Sequence, residues 1–376
     1  MRIRNFIILI VSILCYAYVI HWQFLIYLVL SGGILLIDKL KKPRIKKTLS
    51  WLTILLLICG FPILKGFSNG IIYGYSVFSF SAISYIVDQI RNKKNYSSID
   101  TLIYLFFFPK MMAGPIVRAA DFIPQLSIMN LKIVSIYKGG KLLIYGFFLK
   151  MIIADNILYS TIDGTGLNLL MQSVIFGIQF YIDFYSYSII AVGLALCLGI
   201  TMPYNFDNPY SAQSFKDFWK KWNITLSSWL KDYIYIPLGG NHKSKYLTQL
   251  NVLITFIISG LWHGLSFPFI FWGICHALLV NVEKYFSLQH RLKNKTLKFG
   301  FRAIVITITI LLWQLFRFEK FDDIIRYCND LFQYSTFNEV DIISLITSIL
   351  VLIAVESKII KHTIFGMSME RNYIIV

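Results

Sequence analysis

NVLITFIISGLWHGLSFPFIFWGICHALLV, residues 251–280, runs for thirty residues without a formal charge. A perpendicular transmembrane helix needs about 20 predominantly apolar residues. The stretch therefore reads as membrane-embedded, with candidate spans at 251–262 and 267–283. Outward from it, apolar runs recur at 6–20, 22–37, 49–64, 71–87, 101–113, 139–155, 167–184, 186–200, 301–318 and 341–356, making twelve candidates in all. Several are short, so some are re-entrant or extended by their flanks, and about ten to twelve true helices are expected. Only His21, Trp22 and Gln23 separate the first two runs. The expected fold class is all-α: a polytopic transmembrane helical bundle, with re-entrant or interfacial helices around a central buried histidine site. No soluble block is long enough for its own core, so residues 1–376 read as a single membrane domain.

Composition agrees. Of 376 residues, 57% are hydrophobic and 15% charged, against about a quarter charged in soluble domains. The net charge of +17 lies in short loops between apolar runs. That is the pattern of cytoplasmic loops facing anionic membrane lipid, and it argues against nucleic acid as a partner. Segment 38–48 carries Lys39, Lys41, Lys42, Arg44, Lys46 and Lys47 against one acid. Segment 284–302 carries Lys284, Arg291, Lys293, Lys295, Lys298 and Arg302 against none. Six apolar runs separate loops 88–100 and 284–302, so both can face the cytoplasm. The acidic segment 319–341 then faces outward, and both termini are cytoplasmic. Arg2 and Arg4 precede an apolar run with no small-residue cleavage site after it, which reads as an uncleaved first helix. The five cysteines form no CxxC, and a disulfide or zinc framework is not expected.

Two histidines, His263 and His276, lie in the uncharged stretch. An ionisable residue at membrane depth is costly and marks a functional hypothesis. Gly260 and Gly264 flank His263 and would leave space beside its imidazole for a substrate. The competing reading is a histidine hydrogen-bonded between packed helices. From spacing alone the two readings are level for His263, and packing is favoured for His276. Upstream, 215–233 places Phe215, Trp219, Trp222, Leu226, Trp229 and Tyr233 at helical spacing, with lysines on most of the remainder. This predicts one amphipathic helix lying at the membrane interface. Asn223 sits at the edge of the stripe, where an amide needs a partner; a local bond to backbone is the favoured reading. Pro237, Gly239, Gly240 and Asn241 predict a turn. Pro109, Gly114, Pro115 and Pro124 interrupt the pattern over 107–126, and Arg118 after the Gly-Pro bend either holds an anion or, more commonly, neutralises a nearby acid or headgroup. No HExxH, HxxxxD or P-loop pattern is present, which removes zinc-protease and ATPase readings; no metal site is expected.

Taken together, the blocks FFPKMMAGPIVRAADFIPQL (107–126), GFFLKMIIADNI (146–157), Tyr181 to Tyr210, DFWKKWNITLSSWLKDYIYIPLGGN (217–241), SGLWHG (259–264) and WQLFR (313–317) resemble the membrane-bound O-acyltransferase family. They are most similar to its bacterial branch, which includes the alginate and peptidoglycan O-acetylation membrane proteins. The blocks follow the family order and cover most of a core at about 75–320. The resemblance implies that His263 is the catalytic histidine and that Asn223 occupies the family's upstream site, which is His in many members. It implies substrate-binding roles for Trp262, Trp219, Tyr233 and Arg118. The family's usual Phe-Ser-Gly-Tyr-Ser-Asp wording becomes Phe184-Tyr185-Ser186-Tyr187-Ser188-Ile189 here, so no acceptor-binding role is carried to that segment.

The implied reaction moves an acyl group, acetyl by preference, from a cytoplasmic thioester across the bacterial cytoplasmic (inner) membrane toward hydroxyls of a cell-envelope polysaccharide. The donor would be acetyl-CoA or an acyl carrier protein thioester, with no bound cofactor. An extracytoplasmic acetyltransferase partner is expected, because the outward segments 114–138 and 319–341 are too short for a glycan-binding core. The alternatives are D-alanyl transfer to teichoic acid and a non-catalytic transporter or scaffold. A transporter predicts charged residues within spans and paired broken helices in two halves, and no such symmetry is visible.

Overall fold

The computed structural model describes residues 2–67, 74–92, 94, 96–128, 131–158, 160, 164–242, 244–286, 294–335, 339–357, 360 and 364. Regular structure among these residues is helical. The longer helices are α1 (Arg2–Ile20), α2 (Phe24–Lys39), α3 (Pro43–Phe67), α4 (Tyr75–Asn92), α5 (Ser98–Phe106), α6 (Ala119–Ile128), α7 (Ile133–Phe147) and α8 (Gly166–Cys197). The chain continues through α9 (Phe215–Lys221), α10 (Ile224–Leu230), α11 (Lys245–His263), α12 (Phe267–Tyr285), α13 (Lys295–Trp313), α14 (Phe321–Leu331) and α15 (Glu339–Glu356). Wide π-helical turns follow α7 at Phe148–Ile157 and α10 at Lys231–Tyr235.

Among the described residues, three helical stretches qualify by length and composition to cross a membrane: Ile3–Lys39, Gly166–Cys197 and Lys295–Arg317. The surface pattern of α15 points the same way. Ile343, Ile346, Leu350 and Ile353 are more than half exposed, while Asp341 and Ser348 on the same helix are buried. A helix that turns its aliphatic stripe outward and its polar groups inward is inverted relative to water-soluble helices and suits an apolar solvent. Gln172 satisfies the buried Asp341 by donating across 2.6 Å to its Oδ1.

Two expected boundaries change. The runs 167–184 and 186–200 join in one helix, α8, which continues through Tyr185 and ends at Cys197; within it Ser186 Oγ donates to the Asp183 carbonyl at 2.6 Å. The run 101–113 is not one helix. α5 ends at Phe106, and Pro109, which has no N–H to give, sits in a short 3-10 turn. Nine residues at 1.5 Å per residue reach only about 14 Å, too short for a hydrocarbon core of about 30 Å. With α5 removed and the α8 pair merged, α7 with its π turn, α8, α11 and α12 lie between loops 88–100 and 284–302, still an even number. Arg291 and Lys293 of the second loop lie outside the described residues.

Contacts group the chain into two units: Met1–Leu143 with Tyr187–Pro203, and Ile144–Ser186 with Tyr204–Val376. In the first, Tyr16, Tyr27, Phe78 and Phe106 interlock edge-to-face, and Tyr85 donates to Asp38 at 2.5 Å. α7 meets α8 there through Gly139 and Gly193; a Cβ on Gly139 would lie 2.7 Å from the Gly193 carbonyl oxygen. Small residues at such crossings let backbones approach, the usual way membrane helices gain packing energy. The second unit holds α9 to α15, including His263 and Asn223.

Candidate active site

α11 and α12 form a helical hairpin whose backbones touch. A Cβ on Gly260 would lie 2.3 Å from the Phe269 carbonyl oxygen, and one on Gly273 would lie 2.4 Å from that of Phe256. Ser266 and Pro268 restart the chain: Ser266 takes the N-cap position and proline stands in the first turn, where its missing N–H costs nothing. His263 is the last residue of α11 and is half-buried. The glycines beside it do not leave open space as the sequence suggested. Phe269 fills it, its carbonyl against Gly260 and its ring 2.6 Å from where a Gly264 Cβ would stand.

The His263 imidazole stands among aromatic rings. Trp262 lies 4.3 Å away between centroids, Phe316 4.7 Å, Trp272 5.4 Å and Phe269 6.0 Å. Phe316 comes from the WQLFR block, so two of the resembling blocks meet at this histidine. Behind them Trp313 packs on Trp222 at 4.6 Å and on Phe316 at 5.5 Å. Trp222 immediately precedes Asn223, so the ring cluster runs from His263 to the residue before Asn223.

The expected single helix over 215–233 is broken, and Asn223 breaks it. This residue has φ 40° and ψ 56°, left-handed values that asparagine tolerates better than other side chains apart from glycine. The break is held by backbone bonds: Ile224 N–H donates to Asn205 O at 2.8 Å, and Asp207 N–H to Lys221 O at 3.0 Å. The expected local bond from the Asn223 side chain to backbone is absent. Its amide caps nothing on α10, and among the described residues it has no hydrogen-bond partner, although the residue is only 7% exposed. A non-glycine residue held in the left-handed region is the kind of strain that gathers at functional sites. The aromatic stripe also differs from expectation. Phe215, Trp222, Leu226 and Trp229 are buried in protein instead of lying on an interface, because the break turns α9 and α10 separately into the core.

The remaining expected site residues divide. Trp219 is half-buried and meets Trp272 at 5.6 Å. Tyr233 packs at a tilt on Trp229, 5.0 Å between centroids, in the π turn after α10. Arg118 belongs to the first unit, where its carbonyl accepts the Asp121 and Phe122 amides at the start of α6 and its charge lies near Tyr104. His276 is fully buried and accepts a bond at Nδ1 from the Trp219 indole, 3.3 Å away, which matches the packing reading. The turn at 236–241 forms as expected, with Asn251 donating to the Gly240 carbonyl at 3.0 Å.

Sequence reasoning missed Glu283. It is 5% exposed on α12, and its Oε2 accepts the Phe215 N–H at 2.7 Å. An acid inside an otherwise apolar helix was the available signal. It also missed Lys150, which lies within the π turn after α7 and 2.6 Å from both Asp155 and Asp183.

The sequence profile of the membrane-bound O-acyltransferase family matches residues 16–319. The chain belongs to this family. Among curated relatives it is 32% identical over 273 residues to the protein named "Probable alginate O-acetylase AlgI" of Pseudomonas aeruginosa, covering 70% of this chain and 52% of that one. It is 35% identical over 245 residues to the peptidoglycan O-acetyltransferase of Helicobacter pylori, covering 61% and 45%. It is 27% identical over 226 residues to the teichoic acid D-alanyltransferase of Bacillus subtilis, covering 56% and 57%. The chain thus spans about half the length of the curated relatives it matches. The family match includes His263 and Asn223 and extends across both units.

Proposed function

We propose that this protein moves an acyl group, acetyl by the names of its higher-identity relatives, from a cytoplasmic thioester across the membrane toward hydroxyls of a cell-envelope polysaccharide, with His263 as general base on the hydroxyl that first accepts it. The observation that carries the reading is the placement of His263. It is a half-buried imidazole at a helix terminus, ringed by Trp262, Trp272, Phe269 and Phe316, inside the family match. A neutral imidazole has the basicity for proton abstraction near neutral pH. It takes the hydroxyl proton as the oxygen attacks the thioester carbonyl carbon. The tetrahedral oxyanion collapses, the carbon–sulfur bond breaks, and the imidazolium returns the proton to the departing thiolate. The Asn223 amide, which caps nothing on α10, donates to the oxyanion or orients the substrate. Trp262, Trp219 and Tyr233 supply ring surface for the substrate, and the apolar walls exclude the water that would hydrolyse a thioester. Arg118 holds an anionic group of a substrate.

The donor on this reading is acetyl-CoA, with an acyl carrier protein thioester as second choice. The protein sits in the bacterial cytoplasmic membrane with its basic loops inside, takes donor from the cytoplasm and delivers the acyl group outward to a partner acetyltransferase. D-alanyl transfer is the second reading, favoured by the match to the Bacillus subtilis enzyme at lower identity. Mass spectrometry of envelope polysaccharide from cells with and without the protein tests both: loss of acetyl esters supports the first, loss of D-alanyl esters the second, and no ester change refutes both.

A further inference from the structure

The two residues assigned to the chemistry reach the site on different helices, and α12 joins them. His263 ends α11, which is packed backbone to backbone on α12 at Gly260 and Gly273. α9 leads into Asn223, and α12 grips α9 at two points on one side. Glu283 accepts the Phe215 N–H at 2.7 Å and the Lys216 N–H at 3.4 Å, at the start of the helix. One turn later His276 accepts the Trp219 indole N–H at 3.3 Å. Phe215 and Trp219 are one helical turn apart, and His276 and Glu283 about two, so each pair shares a face of its helix. At its other end α9 is tied to the preceding loop by the Asp207 N–H bond to Lys221 O, and the chain then enters the left-handed Asn223.

We infer that Glu283 and His276 are positioning residues whose shared task is to fix Asn223 relative to His263. The inference rests on the roles proposed above for those two residues. Neither positioning residue needs to touch substrate. Glu283 is 5% exposed and His276 is fully buried, so both bonds are made away from bulk water, where a lost partner leaves a polar group unsatisfied. A seven-residue helix has too few internal bonds to hold its own direction. Released from α12, α9 would shift by a fraction of its width, and a displacement of about 1 Å at a reacting group can cost about 10²-fold in rate.

The test is a double-mutant cycle read as the initial rate of O-acyl ester accumulation on envelope polysaccharide, normalised to the amount of each variant in the membrane. Asn223→Gly keeps the left-handed backbone and removes the amide. Glu283→Ala and His276→Phe each cut the rate about tenfold in the otherwise native protein, and Glu283→Gln or His276→Gln, which retain an acceptor oxygen, recover most of it. In the Asn223→Gly background the same clamp variants cause no further loss, because the group they position is gone. Should Glu283→Ala not accumulate, His276→Phe carries the cycle, since it keeps a ring in the cage. Multiplicative losses would mean general loosening and would overturn the inference, as would clamp variants with native rates. An Asn223→Gly protein with native rate would instead remove the role of Asn223 itself, and the clamp with it.

Discussion

Trp219 donates its indole N–H to His276 Nδ1 across 3.3 Å, which ties one of the two histidines of the 251–280 stretch into the packing. An indole N–H is only a donor, so Nδ1 of His276 carries its lone pair there and the neutral ring bears its proton on Nε2. A ring with its basic nitrogen already engaged inside a cage of Trp219, Trp272 and Phe256 is a structural element. His263, at the half-exposed end of α11, has the access that a base requires.

The first expectation follows for Asn223. Asn223→Ala lowers acyl transfer about 10²-fold, the order seen when one oxyanion donor is removed. It also strains a backbone at φ 40°, which alanine tolerates poorly. Asn223→Gly relieves that strain and should match Asn223→Ala in rate while unfolding at a higher temperature. Asn223→His keeps part of the activity, as relatives carry His at this site. Equal, native kinetics in all three would reduce the residue to a turn former. The comparison is made by steady-state rate and thermal unfolding in detergent.

A second expectation concerns the hairpin that carries His263. Gly273→Ala forces a methyl to within 2.4 Å of the Phe256 carbonyl oxygen, with backbone on both sides and nothing flexible to yield. Overpacking of this kind costs about 1–3 kcal/mol. Gly140→Ala, where a Cβ meets nothing within 4 Å, is the control and leaves the melting temperature unchanged. Similar melting temperatures for the two variants would mean that α11 and α12 are not in backbone contact.

Much of this architecture can be read in the sequence, and the exceptions have physical causes. The apolar runs located the long helices because burial in lipid demands continuous hydrophobicity, whatever the tertiary packing. The block around LWHG located His263, since its spacing to the other blocks is specific. The break at Asn223 was not legible from periodicity: Trp219, Trp222, Leu226 and Trp229 keep helical spacing through it, and the turn is held by backbone bonds to distant residues, Ile224 N–H to Asn205 O and Asp207 N–H to Lys221 O. The same applies to Gly260 and Gly264. Glycine reads equally as room for a ligand or room for a neighbouring helix, and here Phe269 takes the room. Phe316 and Glu283 join the site through tertiary contacts with no local signature.

Topology supplies a third expectation. The loops at 38–48 and 284–302 face the cytoplasm and 319–341 faces outward, on the even helix count between the basic loops and on their lysine and arginine content. On a cysteine-free background, a cysteine at position 295 should react with a membrane-impermeant maleimide only after the cells are opened. Labelling of that position from outside intact cells would reverse the assignment.

A fourth expectation is dependence on a second protein. With α5 too short to span, 114–138 stays on the side of loop 88–100, and the outward segment 319–341 is shorter than the ~40 residues below which a chain rarely builds a core of its own. Purified protein in liposomes, given acetyl-CoA and polysaccharide, should therefore leave the polymer unacetylated until an extracytoplasmic acetyltransferase is added. Efficient polymer acetylation by the purified protein alone would refute the need for a partner.

The most direct measurement is the O-acyl ester content of envelope polysaccharide in a deletion strain complemented with native protein or with His263→Ala, at matched membrane levels and matched thermal stability. Loss of one positioned base costs about 10²–10⁴-fold. The predicted result is that native protein restores the esters and His263→Ala leaves them at the level of the deletion strain. Ester content close to native in the His263→Ala strain would contradict the assignment of His263 as the base.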